Sequence, residues 1–223
     1  MTTQHEPSPS PPAPSPSAPA PAAPAPSAPL TERQRERRAR ILQASARLAR
    51  RGGFDAVQMR EVAESSQVAL GTLYRYFPSK IHLLVATMQD QLEQLRATLR
   101  ARPPAHPEPA ARVADTLLRA FRALQREPQL ADAMVRALTF ADRSAGAEVE
   151  TVSRLTTAII LEAMGLSSPP TARQLSAVRV IAHTWHSTLI TWLSGRASLE
   201  QVRTDIETVC ELIDLVHPVT TAG

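Results

Sequence analysis

The segment 59–80 carries the side chains whose types and spacing suggest binding chemistry. Its hydroxyl groups and cations belong to Thr72, Tyr74, Arg75, Tyr76 and Lys80. The apolar residues between them, which can form a small core, are Val62, Ala63, Val68, Leu73 and Phe77. Hydroxyls and cations bind phosphates, and two short helices around a tight turn form a helix-turn-helix. We therefore predict that the second of these helices enters the major groove of DNA.

Positive charge is concentrated on the same part of the chain. Residues 31–80 hold ten Arg and Lys80 against five acidic residues, a local charge of +6, although the whole chain carries only +4. Residues 1–30 and 81–223 each contribute −1. Such a concentration favours phosphate binding. The alternative is a basic helix face that is merely solvated.

The elements that must position these side chains are predicted to be nine helices, with no strand. Thr31 is a candidate N-cap for the first helix, which Gly52 and Gly53 end. The next helices are predicted over 59–65 and 70–76, and a fourth runs from the Ser79 cap to the proline-rich stretch 102–109. Apolar residues at helical spacing predict the remaining five, at about 113–124, 128–138, 149–164, 171–194 and 198–216.

Composition divides the chain into four parts. Residues 1–30 are a Pro-, Ala- and Ser-rich tail, predicted to be a disordered spacer, with a proline-rich ligand as the alternative. Residues 31–78 form the helix-turn-helix domain, residues 79–217 form a larger helical domain, and residues 218–223 are a disordered C-terminus.

Several classes of protein are disfavoured by the sequence. Cys210 is the single cysteine, so no disulfide within the chain can form, and no zinc-like Cys/His spacing occurs. His183 and His186 could touch a metal, but no carboxylate pattern joins them. No apolar run of about eighteen residues and no secretory signal is present. We therefore expect a cytoplasmic protein without metal, cofactor or membrane span, and no constellation supports the rival hypothesis of an all-helical enzyme.

The motif residues resemble the TetR family of bacterial transcriptional repressors. The resemblance lies in Gly71-Thr72-Leu73-Tyr74, in Tyr76-Phe77 and in the run 80–84, and it covers about residues 35–85. Within the family, the stretches ERQRERR, GGFDAVQMREV, VALGTLYRYFPSK, HLLV, AMVRALTFAD and WHSTLITWLSGRAS look most similar to the actinobacterial repressors of sterol catabolism. The resemblance implies an all-α, nine-helix fold with a DNA-binding head and a C-terminal domain for ligand binding and dimerisation.

The turn departs from the usual family pattern. Many members have Gly, a hydrophobe and Ser or Thr there, whereas this chain has Gln67, Val68 and Ala69. Gln67 would be strained at positive φ. Ala69 offers no side-chain cap, which forfeits ~1 kcal/mol.

The resemblance implies a homodimer that binds a double-stranded DNA operator. The residues expected to contact DNA are Arg35, Arg38, Gln58, Arg60, Leu70, Gly71, Thr72, Tyr74, Tyr76 and Lys80. Arg60 is predicted to read a guanine, with a phosphate contact as the alternative; Arg35 and Arg38 are predicted to reach the minor groove or backbone, or simply to be solvated. The expected dimer contacts are Val202, Ile206, Val209 and Ile213, which could instead be core within one chain.

The larger domain is expected to hold a small hydrophobic effector. The candidate lining residues, each of which could instead be ordinary core, are Met88, Leu92, Leu117, Phe121, Met134, Leu138, Val152, Ile159, Trp185, Leu189 and Trp192. The resemblance implies a sterol-derived acid or its CoA thioester as the effector that releases DNA. The alternatives are a fatty acyl-CoA or a drug, or a DNA-architectural protein without an effector.

Overall fold

The computed structural model describes residues 31–216, and the predictions for the 1–30 tail and the 218–223 C-terminus lie outside this range. The described chain is helical throughout, without a strand. Its helices are α1 (Glu32–Ala56), α2 (Met59–Ser65), α3 (Leu70–Tyr76), α4 (Lys80–Ala101), α5 (Pro109–Arg126), α6 (Pro128–Thr139), α7 (Gly146–Met164), α8 (Ala172–Leu193), α9 (Leu199–Cys210) and α10 (Leu212–Val216). A 3₁₀ turn, Arg143–Ala145, precedes α7.

The predicted all-α fold is confirmed within the described residues, except that one predicted helix is observed as two. The segment 198–216, predicted as a single helix, is observed as α9 and α10. The backbone N–H of Glu211 donates to the Thr208 carbonyl at 3.2 Å, three residues back. This tighter bond interrupts the regular helical ladder and separates the two helices.

Local sequence signals account for several helix ends. Gly53 adopts φ 67°, which breaks the end of α1 where a residue with a Cβ would be strained. The Ser79 hydroxyl accepts from the His82 backbone N–H at 3.4 Å and caps α4. Thr171 and Gln174 form a reciprocal capping box at the start of α8. The Ser79 cap and the start of α8 near residue 171 agree with the prediction, whereas α1 continues to Ala56, past the end predicted at Gly52 and Gly53.

Two apolar cores hold the described chain together. The first buries α1, α2 and α3 against α4, α6 and Val152 of α7. The second joins α5, α7, α8, α9 and α10. Helices α4 and α6 share the first core with the three head helices. A shift of α4 or α6 would therefore change their packing against the head.

A buried hydrogen bond reinforces the contact between the head and α4. The hydroxyl oxygens of Thr87 and Ser45 are hydrogen-bonded at 3.0 Å, and both residues are fully buried. Buried polar groups are costly unless paired, so this pair fixes the position of α1 on α4. No helix among residues 31–216 is long and apolar enough to cross a membrane.

Candidate nucleic-acid interface and ligand cavity

The helix-turn-helix is closed by a turn in which Gln67 has φ 57°. The backbone N–H of Val68 donates to the Ala63 carbonyl at 3.0 Å, and the Ser66 hydroxyl donates to the Val62 carbonyl at 2.6 Å. Gln67 thus occupies the left-handed conformation that the departure from the family pattern suggested. The strain is local, since hydrogen bonds on both sides fix the turn.

Helix α3 presents one face to solvent and buries the other. Leu73 is fully buried and Phe77, just beyond the helix, is 4% exposed, whereas Leu70 and Tyr74 are 36% and 46% exposed. Gly71 is also exposed, and a Cβ placed there would meet nothing within 4 Å. Ala69 occupies the N-cap position of α3, and its side chain makes no capping hydrogen bond, as predicted. The exposed face is therefore open to a large partner.

Helix α2 holds two of the predicted DNA-contacting residues at the surface. Gln58 is its exposed N-cap residue, and Arg60 is exposed in its first turn. The Arg47 side chain donates to the Ser65 hydroxyl at 3.1 Å, which ties α1 to the end of α2. Arg60 is thus an exposed cation on a helix that is anchored at its far end.

The remaining predicted contact residues of the head differ in exposure. Arg35 is exposed and pairs with Glu32 at 2.6 Å, whereas the Arg38 guanidinium lies 5.7 Å from the centre of the Phe77 ring. Thr72 accepts a hydrogen bond from Arg75 at 3.2 Å. Tyr76 is half-buried against the first core. Arg38 and Tyr76 therefore also support the packing of the head.

Lys80 lies at the junction of the head with α6 rather than fully in solvent. Its ammonium is 4.0 Å from the centre of the Phe54 ring, and the Arg136 guanidinium is 4.8 Å from the same ring. Burial lowers the pKa of Lys80, and Arg136 lowers it further, while Asp55 opposes both effects. Sequence reasoning missed this cluster because Phe54 and Arg136 are 82 positions apart.

A cavity of about 490 Å³ opens between α4, α6, α7 and α8. Its apolar wall includes Met88, Leu138, Val152, Trp185 and Leu189, all of them predicted as effector-binding residues. A smaller cavity of about 120 Å³ shares Met88, Trp185 and Leu189 and adds Leu92 and Met134. Seven of the predicted lining residues therefore surround two adjoining spaces, with a volume in the range of small-molecule sites.

Four predicted lining residues lie elsewhere. Phe121 and Trp192 pack edge to face, with ring centres 4.9 Å apart, and Leu117 is buried with them in the second core. These three residues line neither cavity. Ile159 lines a separate cavity between α4, α5 and α7. Helical periodicity could not separate these residues from the cavity wall, because both sets face inward.

The 490 Å³ cavity also has polar lining residues. They are Ser153 and Thr156 of α7 and His183, His186 and Ser187 of α8. Burial lowers the pKa of His186, and the neighbouring His183 lowers it further. Within residues 31–216, no group of three His, Cys, Asp or Glu side chains could hold a metal ion. An imidazole in this lining could instead form a hydrogen bond with a ligand.

The residues predicted to form the dimer contact belong to the core of the protomer. Val202, Ile206 and Ile213 are fully buried and Val209 is half-buried, all packed in the second core. This corrects the expectation for the three buried side chains, which leave no surface for a partner. The apolar stripe of α9 had left this alternative open, since the same spacing suits either contact.

Sequence profiles match both halves of the described chain. Residues 41–87 match the profile of bacterial regulatory proteins of the tetR family, and residues 107–213 match a tetracyclin repressor-like C-terminal domain. The HTH-type transcriptional repressor KstR of Rhodococcus jostii RHA1 is 46% identical over 180 residues, which cover 81% of this chain and 84% of KstR. The chain belongs to the TetR family.

Other relatives agree with this assignment. KstR of Mycobacterium tuberculosis H37Rv is 42% identical over 183 residues, covering 82% of this chain and 83% of that protein. A TetR transcriptional regulator from Rhodococcus sp. RHA1 superposes with a TM-score of 0.77 at 35% identity, covering 86% of this chain and all of that one. Thermus thermophilus FadR, solved in complex with lauroyl-CoA, shares the fold at 22% identity, with a TM-score of 0.63 over 83% of this chain and 99% of FadR. The predicted resemblance to TetR-family repressors is confirmed, and the subgroup that the sequence resembles is represented by the KstR repressors.

Proposed function

We propose that this TetR-family protein is a homodimeric transcriptional repressor that binds an operator through α2 and α3 and catalyses no reaction. The observation that carries the proposal is that α3 has a buried face and an exposed face. Leu73 is buried, whereas Leu70 and Tyr74 are exposed, as is Arg60 of α2. Phosphate contacts by the hydroxyls and cations would set the register, while Arg60 would read a base edge. Such a protein would act in the cytoplasm.

DNA binding can be tested with the DNA region upstream of the gene that encodes this protein. Fluorescence anisotropy with a labelled fragment should give saturable binding that weakens linearly with the logarithm of salt concentration. A scrambled fragment of equal composition is the control, and it should bind much more weakly at the same salt. Equal affinity for both fragments would rule out a sequence-specific repressor and favour an architectural DNA-binding protein.

We propose that the adjoining 490 and 120 Å³ cavities bind the apolar body of the effector, a sterol-derived acid or its CoA thioester. Trp185 and Met88 border both spaces, and the thioether of Met can adapt to a bulky ring system. The imidazoles of His183 and His186, which also line the larger cavity, could form a hydrogen bond with an oxygen substituent of the ring system. The sterol assignment depends on the resemblance to sterol-catabolism repressors.

A fatty acyl-CoA is the second candidate effector. It is favoured by the shared fold of Thermus thermophilus FadR, which was solved with lauroyl-CoA. A steroid acid, its CoA thioester and stearoyl-CoA should each be added to the protein–operator complex. Release by the steroid compounds alone supports the first assignment, and release by stearoyl-CoA alone replaces it. If the complex resists all three, these effector classes are both wrong.

We propose that the homodimer forms through the outer faces of α8 and α9. Leu175 and Val180 of α8 are 41% and 46% exposed, and Leu199, at the start of α9, is 55% exposed. The proposal depends on these exposed large apolar side chains, because a contact with a partner would remove them from water. These residues replace the buried Val202, Ile206 and Ile213 as the expected contacts.

The dimer can be broken at this surface without disturbing the core. Val180→Glu should convert the dimer to a monomer in sedimentation velocity experiments, and operator affinity should fall because each half-site is then bound independently. Leu215→Glu is a matched control, since Leu215 is 70% exposed but lies on α10. A dimer that survives Val180→Glu would show that the interface lies elsewhere.

A further inference from the structure

A third cavity, of about 310 Å³, lies where the end of α4 meets α5 and α7. Its apolar wall includes Leu99, Pro103, Pro104 and Ile159. Along α7, Thr156 lines the 490 Å³ cavity, and Ile159, three residues later, lines this one. The cavity is therefore a neighbour of the proposed effector site but has its own lining.

Thr116 contributes a buried hydroxyl to this cavity that has no hydrogen-bond partner within the described part of the chain. The residue is 1% exposed. Other helical threonines of this protein donate to the carbonyl four residues back, as Thr87 does at 2.8 Å and Thr156 at 3.0 Å. Buried polar groups in folded proteins are nearly always paired. The Thr116 hydroxyl is therefore a donor that a ligand atom in the cavity could satisfy.

Two arginines and one carboxylate form the polar side of the same cavity. Arg96 Nε donates to Glu162 Oε1 at 2.9 Å, and Arg100 Nε donates to Glu162 Oε2 at 3.0 Å. The two cations lower the pKa of Glu162 to about 2, so the carboxylate stays charged and the triad carries a net charge of +1. Each guanidinium has five N–H donors, more than one shared carboxylate can accept.

We infer that the 310 Å³ cavity binds the oxyanion-bearing end of the effector, with Arg96 and Arg100 on the anion and Thr116 donating to a carbonyl or carboxyl oxygen of the same end. This inference rests on the proposed function, because it assigns a second part of the same ligand. The oxyanion could be the carboxylate of a free acid or a phosphate of a CoA thioester. Either one would make the Arg96–Arg100–Glu162 cluster neutral, and planar guanidinium groups suit both.

The experiment compares charged and neutral forms of one ligand on the full chain. Isothermal titration calorimetry would measure a 3-oxo steroid carboxylic acid, its methyl ester and its CoA thioester. The variants are the Arg96→Gln/Arg100→Gln double substitution and Thr116→Val, which keeps the shape of the side chain. Arg203→Gln is the matched control, because Arg203 pairs with Glu207 at 2.8 Å on α9, away from this cavity.

The double substitution should weaken binding of the acid or the thioester about tenfold while leaving the ester almost unchanged. A loss for the acid identifies the carboxylate as the bound anion, and a loss for the thioester alone identifies a phosphate. Thr116→Val should weaken all three ligands about fivefold and yet raise Tm, because it removes an unpaired buried hydroxyl. Arg203→Gln should change none of these affinities.

Two results would overturn the inference, and they can be distinguished. If the ligands bind and release DNA but the affinities are the same in all variants, the proposed function stands and this cavity is not part of the site. If none of the three ligands binds to the wild-type chain, the sterol effector itself fails and this inference fails with it. A Thr116→Val variant that is more stable but binds normally would assign the hydroxyl to packing alone.

Discussion

The head and the effector-binding part of this protein use the same kind of apolar helix in opposite ways. In the head, Val62 and Leu73 are fully buried, and the groups available for binding lie on the outside. Behind it, Met88 and Leu138 are only partly buried, and both border the open cavity of about 490 Å³. We therefore expect recognition at one end to depend on an exposed surface, and at the other on the space between the helices.

This difference predicts which part tolerates truncation of apolar side chains. Leu73→Ala should lower the free energy of unfolding by about 2–5 kcal/mol, because it opens a new void in a filled core. Met88→Ala is the matched variant and should cost much less, since Met88 already borders two cavities. Urea unfolding followed by circular dichroism would measure both values. Equal losses would show that the cavity wall is packed as tightly as the head.

The contrast also explains how far the sequence could predict this molecule. Helix ends were predictable because caps and breakers act locally, as at Ser79 and at Gly53, which has φ 67°. The cavity wall was only partly predictable: Trp185 lines the cavity, but Phe121 was assigned to it and is core. Periodicity says which face of a helix points inward, and it does not say whether the inside is filled.

Contacts between distant segments were the other gap. Phe54 holds Lys80 and Arg136 over its ring, and this cluster joins the head to α6. No local sequence pattern could predict that Phe54, which follows Gly52 and Gly53, contacts Arg136 of α6. The DNA-binding role of Lys80 remains a prediction, although its ammonium is already engaged with Phe54.

The exposed surface of the head can be tested at Arg60. Arg60→Ala should reduce discrimination at one base pair of each half-site by about 1–3 kcal/mol, because a bidentate contact to guanine is lost. The measurement is anisotropy with a panel of single-base operator variants. Arg51→Ala is the control, since Arg51 is another exposed arginine of the head, on α1. A uniform loss on every operator would assign Arg60 to a phosphate instead.

The internal space can be tested by filling it. Val149 is half-buried and lines the 490 Å³ cavity, so Val149→Phe should weaken effector binding about tenfold or more, which corresponds to ~1.4 kcal/mol. Operator affinity should be unchanged, giving a repressor that no longer releases DNA. Effector titrations of the protein–operator complex would show this as a shifted midpoint. Normal release by the variant would place the effector outside this cavity.

The turn between α2 and α3 offers a smaller test of the head. Gln67 has φ 57°, a conformation that costs a residue with a Cβ roughly 1–2 kcal/mol. Gln67→Gly should relieve that strain but lose some stability through the flexibility of the unfolded chain, so the net gain should be at most about 1 kcal/mol. Thermal melts would show a higher Tm. A lower Tm would mean that the Gln67 side chain contributes more than its backbone costs.

The smallest effect is expected from the ion cluster at the far end of the effector-binding part. Arg96 and Arg100 lower the pKa of Glu162 from its ordinary value of 4.5 to about 2, so their interaction stabilises the fold fully only above about pH 4.5. This contribution should be lost as the pH falls from 4.5 towards 2. Because the cluster is partly open to solvent, we expect ~1 kcal/mol or less. The Tm difference between wild type and Glu162→Gln should therefore be largest near neutral pH and should disappear as the pH approaches 2. A difference that stays constant with pH would mean that Glu162 contributes through packing and not through its charge.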